Sequence, residues 1–222
     1  TRRIMMNDNR TLFVVLIGFF CMFSIAMVIK TIRNYYIFKA SFYTEIYSGL
    51  FEYITRKKSL KRMSQSYWLE RELGSHRIMY QITKTKYENI VQPYILILLT
   101  TGLYVIQIHN ESAHYICHQG TLKKITENKN KEKIVQNLPF PISEFKNFQY
   151  HFELLLDNTV IPMRYILAFT DHSQLDIYLK DISVIQKKQL IQTIKEYHLQ
   201  SKDVYSKEDI ERIYYHFTKK IF

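Results

Sequence analysis

Hydrophobic and polar positions divide the chain into three regimes. Residues 11–29, TLFVVLIGFFCMFSIAMVI, run for 19 positions without a charge, which leaves no polar face for a soluble helix to turn towards water. At 1.5 Å per residue this is roughly 28 Å of helix, close to the hydrocarbon thickness of a bilayer. Residues 31–55 then place Ile37, Phe42, Ile46, Leu50, Phe51 and Ile54 as an apolar stripe on a helix continuing from that span, with Gly49 as its break. Residues 59–73 predict a second helix closed by Gly74, with Trp68 packing beside Leu69 and Leu73.

Beyond these the pattern changes to strands. Residues 77–82 and 87–91 flank the polar TKTK turn, and Pro93 separates the second from the centre of the chain. There residues 94–99 and 103–109 read as an apolar hairpin turned at Thr100-Thr101-Gly102, where glycine supplies the positive φ of a tight turn. Alternation along the second strand puts Val105, Gln107, His109 and the continuing Glu111 on one side, with Ile106 and Ile108 on the other. Another strand is expected at residues 113–118, and the run KKITENKNKEK at 123–133 reads as a solvated loop because its apolar residues show no period.

The last third is expected to be helical with one strand. Ser143 is placed to cap a helix that carries Phe145, Phe148, Phe152 and Leu155 on one face, just after Pro141. Residues 165–170, YILAFT, are the buried strand. Leu190, Ile191, Ile194 and Tyr197 mark one further helix, and Ser206 with Asp209 forms the capping box of a last one, whose apolar face is Ile210, Ile213, Tyr214, Phe217 and Ile221. No internal repeat or long Pro/Gly/Ser linker interrupts the sequence, so four parts are expected: a tail (1–10), a transmembrane helix (11–29), a juxtamembrane aromatic and basic segment (30–75) and one α/β domain (76–222).

Composition supports one core rather than two, with 222 residues of which 47% are hydrophobic. The apolar run is bracketed by Arg10 and Lys30, followed by Tyr35 and Tyr36 at interfacial depth, and no small-residue cleavage site follows it, so it reads as an anchor. Lys30, Arg33, Lys39 and the cluster Arg56, Lys57, Lys58, Lys61, Arg62 outnumber Arg2, Arg3 and Arg10. The positive-inside bias therefore leans towards a cell-membrane protein with its C-terminal domain in the cytoplasm. Cys21 lies in the span and Cys117 alone outside it, so the soluble part has no intramolecular disulfide framework. The net charge of +11 admits two partners for that basic cluster: anionic lipid headgroups and nucleic acid.

The central hairpin and the chain beyond it resemble the nuclease-related domain, NERD, of the PD-(D/E)xK nuclease superfamily. The likeness rests on Gly102 leading into Val105-Ile106-Gln107-Ile108-His109, on the helix start Phe140-Pro141-Ile142-Ser143-Glu144, and on the later strand Ile166-Leu167-Ala168-Phe169-Thr170. It covers residues 77–222 and implies a restriction-endonuclease-like core, a central mixed sheet flanked by helices. Active members of that superfamily place an Asp on one strand and a Glu and a Lys two apart on the next. The carboxylates hold Mg²⁺ against the scissile phosphate while the Lys orients the attacking water. Here the three positions fall on Tyr94, Gln107 and His109, and the glutamine of the helix motif is Glu144. Glu111 and Asp171 are the two carboxylates placed for a relocated metal site.

The resemblance therefore implies a degenerate nuclease site with no catalytic residues and no cofactor, Mg²⁺ returning only if a relocated site exists. His109, His114, Cys117 and His118 are zinc-competent residues, but alternation puts His114 and His118 on one face and Cys117 on the other, so no metal site is expected. No P-loop, GxGxxG, GxSxG or paired CxxC occurs. The expected role is a scaffold or docking subunit that meets membrane lipids and a membrane or cytoplasmic protein. The alternative is a membrane-tethered nucleic-acid binder or metal-dependent nuclease.

Overall fold

The computed structural model describes residues 2–80, 94–118, 120–128, 130–157 and 160–221. The strand expected at residues 87–91, and the turn before it, lie outside them. Two compact units divide the chain at Ser41.

The first unit is one helix, α1 (Arg2–Ala40, 39 residues), which extends the apolar run at both ends. Its segment Leu12–Ala40 has a mean hydropathy of 2.9 in its most apolar window, no part of that window buried, and is long enough to cross a membrane. A membrane anchor and a signal sequence share this form. α1 ends at Ala40, so the juxtamembrane stripe does not form one continuing helix.

The second unit opens with short helices α2 (Tyr43–Ile46) and α3 (Leu50–Arg56), separated at Gly49. The single helix expected at 59–73 is two, α4 (Leu60–Met63) and α5 (Tyr67–Leu73). Ser66 breaks it by taking an extended backbone and accepting the Leu69 N–H with its hydroxyl, the geometry of an N-cap. Gly74 ends α5 at a φ of 76°.

Strands β1 (His76–Tyr80), β2 (Tyr94–Leu99) and β3 (Gly102–His109) form an antiparallel meander. After β3 come β4 (His114–His118), β5 (Thr121–Glu127), β6 (Lys133–Leu138) and helix α6 (Pro141–Leu155), before β7 (Met163–Phe169) returns parallel to β3. β8 (Gln174–Asp176), β9 (Ile182–Gln186), α7 (Leu190–Gln200) and α8 (Lys207–Ile221) complete the chain. Among the described residues there are two mixed sheets, of order β1-β2-β3-β7-β9 and β6-β5-β4-β8, in place of the single central sheet the sequence predicts.

The five-stranded sheet is buried on both faces, which is why β2 reads as an unbroken apolar run. One face, with Leu96, Leu98, Val105 and Phe169, joins Phe145, Phe148 and Phe152 of α6 and Phe217 of α8 in a single cluster. The alternate residues Ile95, Ile97, Ile106 and Ile166 are buried as well. The second sheet grows out of the first. β3 leads into β4 and β7 into β8, and the two crossings are tied by Thr170 N–H to His109 C=O at 3.3 Å and Gln174 N–H to Ala113 C=O at 3.1 Å.

Three further expectations change. The polar run 123–133 is the body of the β5–β6 hairpin, turned by Asn128, whose side-chain carbonyl accepts the N–H of Asn130 and of Glu132 at 2.9 Å each. Its period was hidden because the hairpin is mostly solvated, leaving Leu122 as its buried anchor. Among the described residues the last third holds three strands, and β8 and β9 escape notice by their length of 3 and 5 residues. α6 starts at Pro141, whose missing N–H is harmless in a first turn, and not behind Ser143.

Candidate functional site

The β2–β3 register sets Tyr94 directly opposite Gln107, and His109 lies two residues on along the same face. At this carboxyl end of β3, where the chain passes into the second sheet, a cleft of about 300 Å³ opens, lined among others by Gln107, His109, Glu111, Tyr115, Lys124 and Gln136. The ends of parallel strands are where open α/β sheets form ligand crevices.

Tyr94 is turned into the aromatic core, 5.0 Å from Phe148 and 6.0 Å from Phe145 between ring centroids, and does not line the cleft. Burial, with Glu144 and Tyr165 nearby, holds its hydroxyl well above the usual tyrosine pKa. Gln107 is buried. His109 stacks on Phe169, its partner across the parallel register, at 4.8 Å and 13° and meets Tyr115 at 5.5 Å. Among the described residues its Nε2 is buried without a hydrogen-bond partner. Burial pulls its pKa down to about 4, helped by the Lys124 ammonium and opposed by Glu111, so the ring is neutral near pH 7.

Lys124 reaches the cleft from β5. Its ammonium donates to the Glu111 carboxylate and, at 3.3 Å, to the Gln136 carbonyl. Its side chain is nearly buried while that of Glu111 is largely exposed. Sequence patterning does not bring Lys124 or Gln136 to the cleft, because neither β5 nor β6 shows hydrophobic alternation. Even so, Lys124 shares a strand face with the buried Leu122 and was findable once β5 was recognised.

The other proposed carboxylate is elsewhere. Asp171 Oδ1 accepts the Lys188 N–H at 3.0 Å, closing the turn before α7, and does not line the cleft. One carboxylate, already neutralised by a lysine, does not fit Mg²⁺, which binds through carboxylates and water. Among the described residues no three His, Cys, Asp or Glu side chains converge on a metal position. His114 Nε2 meets Asp176 Oδ2 at 2.6 Å, and burial raises the Cys117 thiol pKa. The cleft thus presents an amide, a neutral imidazole whose Nε2 is buried, and the Glu111 carboxylate paired with an ammonium, with no second carboxylate among its lining residues.

The basic cluster lies on α3, α4 and the turn between them. Lys57, Lys58, Lys61 and Arg62 are exposed. Arg56 is not: its guanidinium donates to Glu52 Oε1 at 2.7 Å and to Arg62 C=O at 3.1 Å and lies 4.2 Å from the Tyr67 ring centre. Glu52 also accepts the Ser48 N–H and hydroxyl at 2.8 Å and the Tyr67 N–H at 2.7 Å. Burial works to raise the Glu52 pKa, but these hydrogen bonds outweigh it and hold the carboxyl below its usual range. The Glu52–Arg56 pair therefore fastens α3 to α5, and Lys57, Lys58, Lys61 and Arg62 remain on the surface. Trp68 is half-buried, with Arg71 stacked 4.4 Å from its ring centre.

No family model matches the chain, and the comparisons with curated proteins and with solved structures gave no significant match.

Proposed function

We propose that the chain is a single-pass membrane protein whose NERD-like, restriction-endonuclease-like domain has lost its chemistry and serves, on the cytoplasmic side, as a scaffold or docking subunit. The order of elements supports the likeness: a glycine-turned hairpin, a proline-led helix, a strand parallel to the second strand of the hairpin and two terminal helices. The observation that carries the loss is the cleft at the end of β3, where the nuclease positions hold Tyr94, Gln107 and His109 and the nearby Glu111 is neutralised by Lys124. A metal-dependent phosphodiesterase needs at that place the carboxylates this chain has replaced.

The test has two arms. The thermal midpoint of the full chain in detergent should not rise with Mg²⁺ or Mn²⁺, because a ligand stabilises only the state it binds. A rise abolished by Gln107→Ala or Glu111→Ala would restore the nuclease. Isolation from native membranes should recover a protein in fixed ratio to the chain, and a chain recovered alone counts against the scaffold. A second reading, a membrane-tethered nucleic-acid binder, is favoured by the exposed Lys57, Lys58, Lys61 and Arg62. It requires binding of DNA or RNA that weakens steeply with salt.

A further inference from the structure

The outermost strand of the four-stranded sheet, β6, pairs only with β5, so among the described residues its far edge is unpartnered. Ile134 and Val135 on it leave 51% and 56% of their surface to solvent. Along an antiparallel ladder, hydrogen-bonded pairs alternate with non-bonded ones. The Asn128 N–H donates to the Glu132 C=O at 3.0 Å, and pairing runs unbroken from Glu127↔Lys133 to Leu122↔Leu138. Counting from that bond, Ile134, Gln136 and Leu138 turn their backbone groups towards β5, while Lys133, Val135 and Asn137 turn theirs outward. Native sheets blunt such edges with charge, proline or bulges. β6 carries one charge, at its first residue, and its proline, Pro139, comes only after its last.

We propose that β6 is a homodimer interface: two copies of this chain pair their β6 edges antiparallel about a two-fold axis at Val135, joining two four-stranded sheets into one. The strand is complementary to itself in that register. Lys133 faces the partner's Asn137, Val135 faces the partner's Val135 and, on the other side of the sheet, Ile134 faces the partner's Gln136. Every outward N–H and C=O of the three outward residues finds a mate, and two β-branched side chains meet across the axis. No like charges are opposed, whereas parallel pairing in register would set lysine against lysine. The contact uses the same surface on both copies and closes on itself, which favours a dimer over an open fibre. This interface is independent of whether the β3 cleft is a lost nuclease site.

The experiment uses the full chain in detergent micelles, with Cys21→Ser and Cys117→Ser as background. Hydrogen-bonded antiparallel partners lie about 5.5 Å apart at Cα, a separation that disulfides span. Val135→Cys should therefore oxidise to a covalent dimer. Lys133→Cys should not, since its own counterpart lies four residues along the strand, about 13 Å away. Val135→Pro removes one outward N–H without touching the β5 ladder and should weaken dimerisation at least tenfold by sedimentation. A chain that stays monomeric at every concentration overturns the proposal. So does equal cross-linking at 133 and 135, or a Val135→Pro variant that dimerises as the parent does, which would place the contact elsewhere. The cross-linking pair reads the interface even where the proline variant folds poorly.

Discussion

At His109 the imidazole lies against Phe169 with Nε2 closed off, and burial together with Lys124 brings its pKa down to about 4. In the unfolded chain the same ring titrates near 6.5. The folded value is the lower one, so unfolded chains take up a proton first as pH falls. Stability is then full above about pH 6.5 and declines down to about pH 4, by about 3 kcal/mol in all for this group. His109→Phe keeps the stacking and removes the proton site, so its thermal midpoint should vary distinctly less between those pH values than that of the parent chain. An unchanged pH profile would mean that His109 is not the group responsible. Sequence alternation found Gln107 and His109 on one face, because strand parity is local. It did not find Lys124, whose approach depends on β5 folding over the end of β3, nor the neutralisation of Arg56 by Glu52 four residues earlier, which the helical spacing permits but does not require.

Among the elements, the β2–β3 hairpin was the most legible, since two apolar strands and a glycine turn leave little else to build. Its glycine is needed for two reasons the sequence showed only in part. Gly102 sits at a φ of 131°, and a Cβ there would lie 2.5 Å from the Pro162 carbonyl oxygen, which also accepts the Leu103 N–H at 2.8 Å. Gly102→Ala must strain the backbone and push β3 from the chain entering β7, at a cost of about 3 kcal/mol. Gly120 has a φ of 76° but open space around it, so Gly120→Ala carries only the left-handed penalty of about 1 kcal/mol. Chemical denaturation of the two variants should rank them in that order, and equal losses would remove Pro162 from the account. α8 was legible from its cap, with Ser206 N–H and hydroxyl donating to Asp209 at 3.0 and 2.9 Å and the Asp209 N–H returning to Ser206 at 3.1 Å. The β5–β6 hairpin was not legible, because strands solvated over most of their surface need no hydrophobic alternation to persist.

For the whole molecule, the division into two units at Ser41 carries a consequence for how the chain partitions between membrane and water. Leu12, Phe13, Phe19, Phe20, Phe23 and Ile25 of α1 are all at least 60% exposed and point around the helix. Apolar surface of that extent is stable only when removed from water, at about 25 cal/mol per Å², and residues 42–222 carry a buried core of their own. The full chain should therefore remain with membranes through alkaline carbonate extraction, whereas residues 42–222 alone should be released. The mature N-terminus decides between the two uses of such a helix, since an anchor is retained and a signal sequence is removed. Mass spectrometry of the membrane-bound protein should find residues 11–29 still attached. A shorter chain beginning beyond them, released by the same extraction, would overturn the anchor and with it the cytoplasmic placement, because the positive-inside argument needs a retained span for its charges to flank.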